Sequence, residues 1–145
     1  MLTDALTTLS NSQAITATAA SSSVIDLGAG GTPKPGHTVA LTRDLVKGTK
    51  IKFRCQVTET FLTLTDLTVA LQADNDEAFG SATTVLASAA IPLATLVAGY
   101  VFWGFDIVPR GITERYLRAY YTVGGSSATA GKIFAAVTLA NQDNP

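Results

Sequence analysis

Hydrophobic and polar residues alternate with a period of two along much of the chain, as expected for strands with one buried face. The alternation is clearest over residues 51–58, where the apolar positions are Ile51, Phe53, Cys55 and Val57. Similar patterns predict strands at 13–20, 24–27, 66–73, 83–86, 115–123 and 132–139. Gly, Pro, Asp and Ser residues separate these segments and predict turns. The pattern predicts about eight strands and no long helix, folded as a single all-β jelly roll or β-sandwich.

The two ends of the chain break this pattern. Near the amino end, Leu2, Leu6 and Leu9 are spaced by four and three residues, which fits a short amphipathic helix or an extended arm. We therefore predict an N-terminal arm at 1–12, a sandwich domain at 13–140 and a short polar tail at 141–145. An arm of this kind is expected to be mobile until it docks on a partner. Packing of the arm on its own sandwich is the alternative.

The segment Tyr100–Val108 is apolar on both faces of a predicted strand. A strand of this kind is buried on both sides, so a loop or a partner subunit is expected to cover its second face. We predict a homo-oligomer, with a dimer favoured over a trimer because two-fold contacts are the most common. Aromatic residues are enriched in interface cores. The predicted protein-interface residues are Leu2, Leu6, Leu9, Tyr100, Phe102, Trp103, Phe105, Tyr116 and Tyr120.

The chain carries little charge, which excludes several classes of function. Charged residues make up 14% of its 145 residues and the net charge is −1, whereas an ordinary soluble domain has roughly 25% charged residues. A nucleic-acid partner is not expected, because the basic residues between Arg43 and Arg54 fit a solvated loop better than a phosphate-binding face. A membrane is not expected either, since no apolar run approaches the ~20 residues of a spanning helix. Residues 1–12 do not resemble a signal peptide, so we expect synthesis in the cytoplasm.

Candidate catalytic and ligand-binding residues are few. Cys55 and His37 are the single cysteine and histidine, which leaves no internal disulfide and no cysteine-based zinc site. Cys55 is predicted to point into a core, where a thiol is inert. The glycine-rich segment Gly28–His37 contains two prolines and lacks the spacing of a phosphate-binding loop. The acidic run Asp74–Glu77 lacks the spacing of a calcium loop and predicts a solvated turn.

The remaining acids are scattered along the predicted loops and strands. Asp106 lies in the doubly apolar segment, and we predict that it pairs with one of the arginines Arg110, Arg115 and Arg118. A glycosidase pair formed by Asp66 and Asp106 is the weaker alternative. The sequence therefore predicts no enzyme, with no catalytic, metal-binding or cofactor-binding residues and no cofactor.

The strand and turn segments, taken together and in order, resemble the Bbp16-type capsid cement proteins of tailed bacteriophages. The segments are LSNSQAITATAASSSVIDLG (9–28), LTVALQ (67–72), IPLATLVAGY (91–100), RYLRAYYTVGG (115–125) and TAGKIFAAVTL (129–139). The resemblance implies a jelly-roll virion protein on the outer surface of an HK97-type shell. Its implied partner is the major capsid protein, whose neighbouring copies it would brace against the pressure of the packaged DNA.

Two other functions compete with this interpretation. A carbohydrate-binding β-sandwich would use exposed aromatic residues, such as Trp103 and Tyr116, to stack on sugar rings. A phage tail or adaptor component of the same fold is a third possibility. A planar row of exposed aromatic side chains would favour sugar binding, whereas burial of Trp103 between subunits would favour the capsid role.

Overall fold

The alternating segments form antiparallel strands in two sheets. The structure is a computed structural model and describes residues 4–31, 36, 38–39, 43, 51–102 and 108–138. The strands within these residues are β1 (Thr8–Ala14), β2 (Ala19–Ala20), β3 (Ile25–Asp26), β4 (Lys52–Leu62), β5 (Asp66–Asp74), β6 (Thr83–Ala87), β7 (Ile91–Pro92), β8 (Tyr116–Gly124) and β9 (Ala130–Thr138). Short 3-10 turns occur at Ala5–Thr7 and Leu93–Thr95. The predicted all-β sandwich is confirmed.

The smaller sheet has three strands in the order β1-β9-β4. Its central strand, β9, pairs antiparallel with both neighbours, and Cys55 of β4 lies opposite Ala135 of β9. Both of these side chains are fully buried, as are Val57 and Ile133 on the same face. The predicted period of two in β4 is therefore confirmed, because successive side chains alternate between the core and the outer face.

The larger sheet has six strands, and β5 and β8 form its centre. Its order is β2-β8-β5-β6, while β3 joins β8 and β7 joins β5. The register between β5 and β8 is unbroken from the pair Asp66–Gly124 to the pair Asp74–Tyr116. One face of each strand is buried, and the other face points away from the core. Leu67, Val69 and Leu71 of β5 and Leu117, Ala119 and Tyr121 of β8 are at most 1% exposed.

The two sheets enclose one apolar core. Burial of a large apolar side chain stabilises the fold by roughly 1.5–3 kcal/mol, so the side chains in this core account for much of the stability. The largest fully buried side chains are Tyr121, Phe53, Phe61, Phe102, Leu9, Ile15, Leu64, Leu67, Leu71, Leu96 and Leu117. They come from both sheets and from the connections between them.

Gly131 allows β9 to pass the ring of Phe61. Its φ angle is 136°, in the region that favours glycine. A Cβ atom at this position would overlap the Phe61 ring. The register between β4 and β9 shifts between Glu59 and Leu62, beside this close contact. The glycine therefore relieves a steric conflict where the pairing becomes irregular.

The N-terminal prediction is wrong for residues 8–12. β1 begins at Thr8 and pairs with β9, and Leu9 is fully buried in the core. Leu9 therefore belongs to the sandwich. Burial of its apolar side chain stabilises the folded state, whereas a mobile arm would leave the side chain in water. Leu6 remains 82% exposed on the 3-10 turn that Asp4 caps. Leu2 and the predicted tail at 141–145 lie outside the described residues.

The predicted continuous strand at 13–20 is divided between the two sheets. β1 ends at Ala14 in the small sheet, and β2 begins at Ala19 in the large sheet. Residues 15–18 cross from one sheet to the other, with Ile15 fully buried. Apolar and polar residues continue to alternate through the crossing, and no Gly or Pro marks it. The sequence pattern therefore gives no sign of the change of sheet.

A buried polar network joins the two sheets beside this crossing. Tyr121 Oη of β8 and Ser10 Oγ of β1 lie 2.7 Å apart, and Ser10 Oγ donates to Gln13 Oε1. The single serine proton is used in that bond, so Tyr121 donates to Ser10. Gln13 also accepts from the Ser22 amide and donates to the carbonyl of Ala20. These bonds attach β1 to the opposite sheet.

Only part of the predicted strand at 100–108 lies in the described residues. Phe102 N donates to Cys55 O, and Val108 N donates to Ile51 O, so these residues bond along β4. Within the described part, Val101 forms an isolated bridge with Gln56 instead of an extended strand. Residues 103–107, including Trp103, Phe105 and Asp106, lie outside the description. Before this segment, β7 is followed at once by the 3-10 turn Leu93–Thr95.

Candidate functional site

The outer face of the large sheet carries the predicted interface residues Tyr116 and Tyr120. Both lie on β8 and alternate with the buried side chains of Leu117, Ala119 and Tyr121. Neighbouring side chains on β3, β5 and the β5–β6 turn complete the surface. We call this surface the tyrosine–arginine face, and it comprises Asp26, Gln72, Phe79, Arg115, Tyr116, Arg118 and Tyr120.

Arg118 is held at the centre of this face by three neighbours. Its Nε donates to Gln72 Oε1 at 2.9 Å, from the residue directly opposite on β5. Its guanidinium lies 4.2 Å from the centroid of the Phe79 ring and 5.3 Å from that of Tyr120. Both distances permit a cation–π interaction. The guanidinium is therefore positioned before any partner arrives.

Phe79 reaches this face because the turn between β5 and β6 folds over the sheet. The Phe79 ring is 7% exposed, and the residue has a φ angle of 55°. Asp74, at the end of β5, accepts hydrogen bonds from the amides of Asp76 and Ser81. The Asp76 amide is the main cause of the lowered pKa of Asp74. Residues 75–77 form the exposed turn that the sequence predicts, whereas Asp74 is buried at the end of β5 and holds the turn through its carboxylate.

Arg115 and Asp26 form a bidentate ion pair at the edge of the face. Arg115 Nε and Nη2 donate to the two carboxylate oxygens of Asp26, each at 2.7 Å. These bonds, followed by one from the amide of Gly28, lower the pKa of Asp26 to about 2. The Arg115 guanidinium also lies 4.9 Å from the centroid of the Tyr116 ring. Both tyrosines of the face thus have an arginine against the ring.

Of the predicted interface residues that the structure describes, Tyr116 and Tyr120 lie together on the tyrosine–arginine face. Phe102 is 2% exposed, so the prediction that it contacts a partner is wrong, because its side chain fills the domain's own core. Leu9 is also fully buried in the core, so the prediction that it contacts a partner is wrong for the same reason. Tyr100 is half-buried, with its ring 5.2 Å from that of Phe102 at an interplanar angle of 71°. Leu6 is exposed but lies on the 3-10 turn, away from this face.

Sequence reasoning missed Phe79, Gln72, Arg115 and Arg118 as members of the site. The signal available in the sequence is the period of two over residues 116–120, which puts Arg118 on the same face as the two tyrosines. Gln72 follows from the same pattern on β5 once the register is known. Phe79 is the one large apolar residue between Asp74 and Ala82, but its contact depends on how the turn folds.

The candidate catalytic groups do not form a reactive centre in the described residues. Cys55 is fully buried, and burial raises the pKa of its thiol, so it stays protonated. Asp106 lies outside the described residues, so its pairing with an arginine stays a prediction. Arg115, one of the three arginines considered for that pairing, forms an ion pair with Asp26. Within the described chain, no three His, Cys, Asp or Glu side chains are grouped closely enough to hold a metal ion.

An open groove lies beside β1 and contains no titratable side chain. Its lining residues are Ala5, Thr8, Asn11, Ser22, Ser23 and Phe134. Serine and threonine hydroxyls of this kind need an adjacent base to act as nucleophiles, and no lining residue supplies one. In the described ranges, no helix has the length and apolar character needed to cross a membrane.

The fold and the tyrosine–arginine face together define an all-β sandwich with a polar–aromatic outer surface on its larger sheet. Comparison with known families gives a match to the Bbp16 family over residues 9–137. The chain therefore belongs to the Bbp16 family, which is associated with bacteriophages. No curated protein matches the sequence.

Proposed function

We propose that this protein is a capsid cement protein, a structural component on the outer surface of a tailed-phage shell. Membership of a phage-associated family supports a structural role in the virion. The observation that carries the proposal is the tyrosine–arginine face, a preorganised surface without a ligand cavity or a catalytic group among its described residues. The proposed partner is the major capsid protein. We propose neither an enzymatic activity nor a cofactor for this protein.

The composition of the face suits contact with another protein. Tyrosine and arginine are over-represented among the residues that dominate binding energy at protein interfaces. Arg118 is already held by Gln72 and Phe79, so less side-chain freedom is lost on binding. A half-exposed sheet face also presents these side chains at fixed spacing. The face therefore supplies rigid aromatic and cationic contacts to the shell.

The proposed mechanism needs only binding. A protein that contacts two neighbouring capsid subunits binds the intact shell and not the separated subunits. At a free concentration 100 times its dissociation constant, it stabilises the intact state by about 2.7 kcal/mol per site. Self-association of the bound protein, which we also propose, would add avidity because the second copy engages at a high effective concentration. No chemical step is required.

The test compares particles with and without the protein. Particles that lack it should assemble but release their DNA at a lower temperature or under milder osmotic shock, and purified protein should restore resistance. Tyr120→Ala protein should restore less resistance, because it loses a ring of the tyrosine–arginine face. Phe134→Ala is the matched control, since Phe134 is a partly buried aromatic residue on the smaller sheet. Equal resistance of complete and depleted particles would refute the bracing role.

The carbohydrate-binding alternative has one supporting observation, which is the presence of Tyr116 and Tyr120 on the same face of β8. Each ring, however, has an arginine guanidinium within 5.3 Å of its centroid. A sugar that stacks on either ring face would compete with that guanidinium. Binding of the purified protein to a glycan array, lost in Tyr120→Ala, would favour this alternative over the capsid role.

A further inference from the structure

The two arginines of the tyrosine–arginine face differ in how their charge is balanced. Arg115 donates two hydrogen bonds to the carboxylate of Asp26, so its positive charge is neutralised on the face itself. Arg118 donates from Nε to the uncharged amide oxygen of Gln72 and forms no ion pair with any described residue. Among the described residues, the face therefore carries one guanidinium that lacks a counter-ion.

The neighbours of Arg118 hold its guanidinium but leave its terminal nitrogens free to donate. The rings of Phe79 and Tyr120 contact the π system of the guanidinium, which uses none of its N–H groups. The only hydrogen bond from the guanidinium to a described residue is the one from Nε to Gln72. Nη1 and Nη2 therefore present their donors outward, in the planar arrangement that matches the two oxygens of a carboxylate.

The charges around Arg118 favour a single carboxylate over a polyanion. Asp26 lies on the same face, and Asp76 and Glu77 are exposed on the β5–β6 turn. Glu77 is near enough to act electrostatically on Arg115. A nucleic acid would have to place successive phosphates beside these acids, at a cost in repulsion. One acidic side chain of a protein can approach Arg118 alone and avoid them.

We infer that Arg118 binds an aspartate or glutamate side chain of the major capsid protein, with Nη1 and Nη2 donating to its two oxygens. The inference rests on the proposed function and names the group that is recognised on the shell. Arg118 is half-buried, so the ion pair is screened less by salt than a fully exposed pair. Arg115 takes no part in this recognition, because Asp26 already balances its charge.

The test measures the affinity of the purified protein for depleted particles at several salt concentrations. Arg118→Gln should weaken binding by about tenfold or more and reduce its dependence on salt, because one charge pair is lost. Arg118→Lys keeps the charge but not the two parallel donors, so its affinity should be intermediate. Arg54→Gln is the matched control. It makes the same change at a half-buried arginine on the outward face of β4, which also donates to a glutamine, and should leave binding unchanged.

The partner's carboxylates are tested on the shell itself. Treatment of depleted particles with a carbodiimide and an amine converts exposed carboxylates to amides, and electron microscopy checks that the shells remain intact. The unchanged protein should bind treated particles about as weakly as the Arg118→Gln protein binds untreated ones. Treatment should cost the Arg118→Gln protein little further affinity, because the two changes remove the same interaction. Circular dichroism should show that all variants keep the β fold.

The outcomes separate this inference from the capsid proposal. If the unchanged protein does not bind depleted particles, the proposed function fails and the inference fails with it. If it binds and Arg118→Gln binds equally well, or Arg54→Gln loses as much affinity, only the inference is overturned. An equal loss for the unchanged and Arg118→Gln proteins on treated particles would also overturn it, because the shell's carboxylates would then act at another surface.

Discussion

The hydroxyl of Tyr121 illustrates how single residues connect the two sheets. Burial raises the pKa of Tyr121, so the phenol stays neutral and donates to Ser10 Oγ. The bond lies inside the sandwich, and Ser10 itself is fully buried. Gln13 occupies the other side of Ser10 and is bonded in turn to the segment that follows the crossing. One tyrosine thereby fixes the position of an edge strand in the opposite sheet.

Replacement of this tyrosine gives a prediction at the residue scale. Tyr121→Phe should lower the free energy of unfolding by about 1 kcal/mol, because a buried hydrogen bond of a neutral pair is lost while the ring still fills the core. Urea unfolding followed by circular dichroism measures the difference. Tyr120→Phe is the control, since its hydroxyl belongs to the partly exposed ring on the outer face. Equal effects of the two substitutions would show that the Ser10 contact contributes no stability.

At the scale of elements, the four longest strands were predictable from sequence. β4, β5, β8 and β9 each have a buried face in alternation with polar or half-exposed positions, and the pattern extends over 9 to 11 residues. The division of 13–20 between two sheets was not predictable, because sheet membership depends on pairing with β8 and β9, far along the chain. Phe102 was misassigned for a related reason. A segment that is apolar on both faces does not reveal which face meets its own core.

The candidate site was predictable to a similar extent. Period-two alternation correctly placed Tyr116 and Tyr120 together on an outward face. The arginine contacts require the register of β5 with β8, and the Phe79 contact requires the path of a turn, which local pattern does not specify. This surface is a property of the assembled sheets.

The corrected N-terminus gives a prediction at the scale of elements. Deletion of residues 1–7 should change the free energy of unfolding by no more than about 0.5 kcal/mol, because β1 starts at Thr8 and Leu6 is exposed. Deletion of residues 1–12 should be far more damaging, since loss of the buried Leu9 side chain alone costs about 2–5 kcal/mol. Thermal unfolding of both truncated proteins by circular dichroism makes the comparison. Similar melting temperatures would contradict the assignment of β1 to the core.

At the scale of the whole molecule, the two proposed contacts use different surfaces. The tyrosine–arginine face lies on β3, β5 and β8 of the large sheet, so a second copy has to bind elsewhere on the sandwich. A protein whose self-association surface is separate from its partner-binding surface can form a dimer in which each copy contacts the shell at its own site. Avidity then increases the residence of the pair without any new contact. This arrangement is what a brace between neighbouring capsid subunits requires.

The proposed self-association also predicts how stability depends on concentration. If the folded chains are dimeric and the unfolded chains are not, a higher protein concentration favours the folded state by mass action. A tenfold increase is worth about 1.4 kcal/mol per dimer, which corresponds to a rise of about 2 °C in the melting temperature of an assembly of this size. Calorimetry at several concentrations measures this slope. A melting temperature of the unchanged protein that stays constant over a hundredfold concentration range would contradict a dimer that persists up to the unfolding transition.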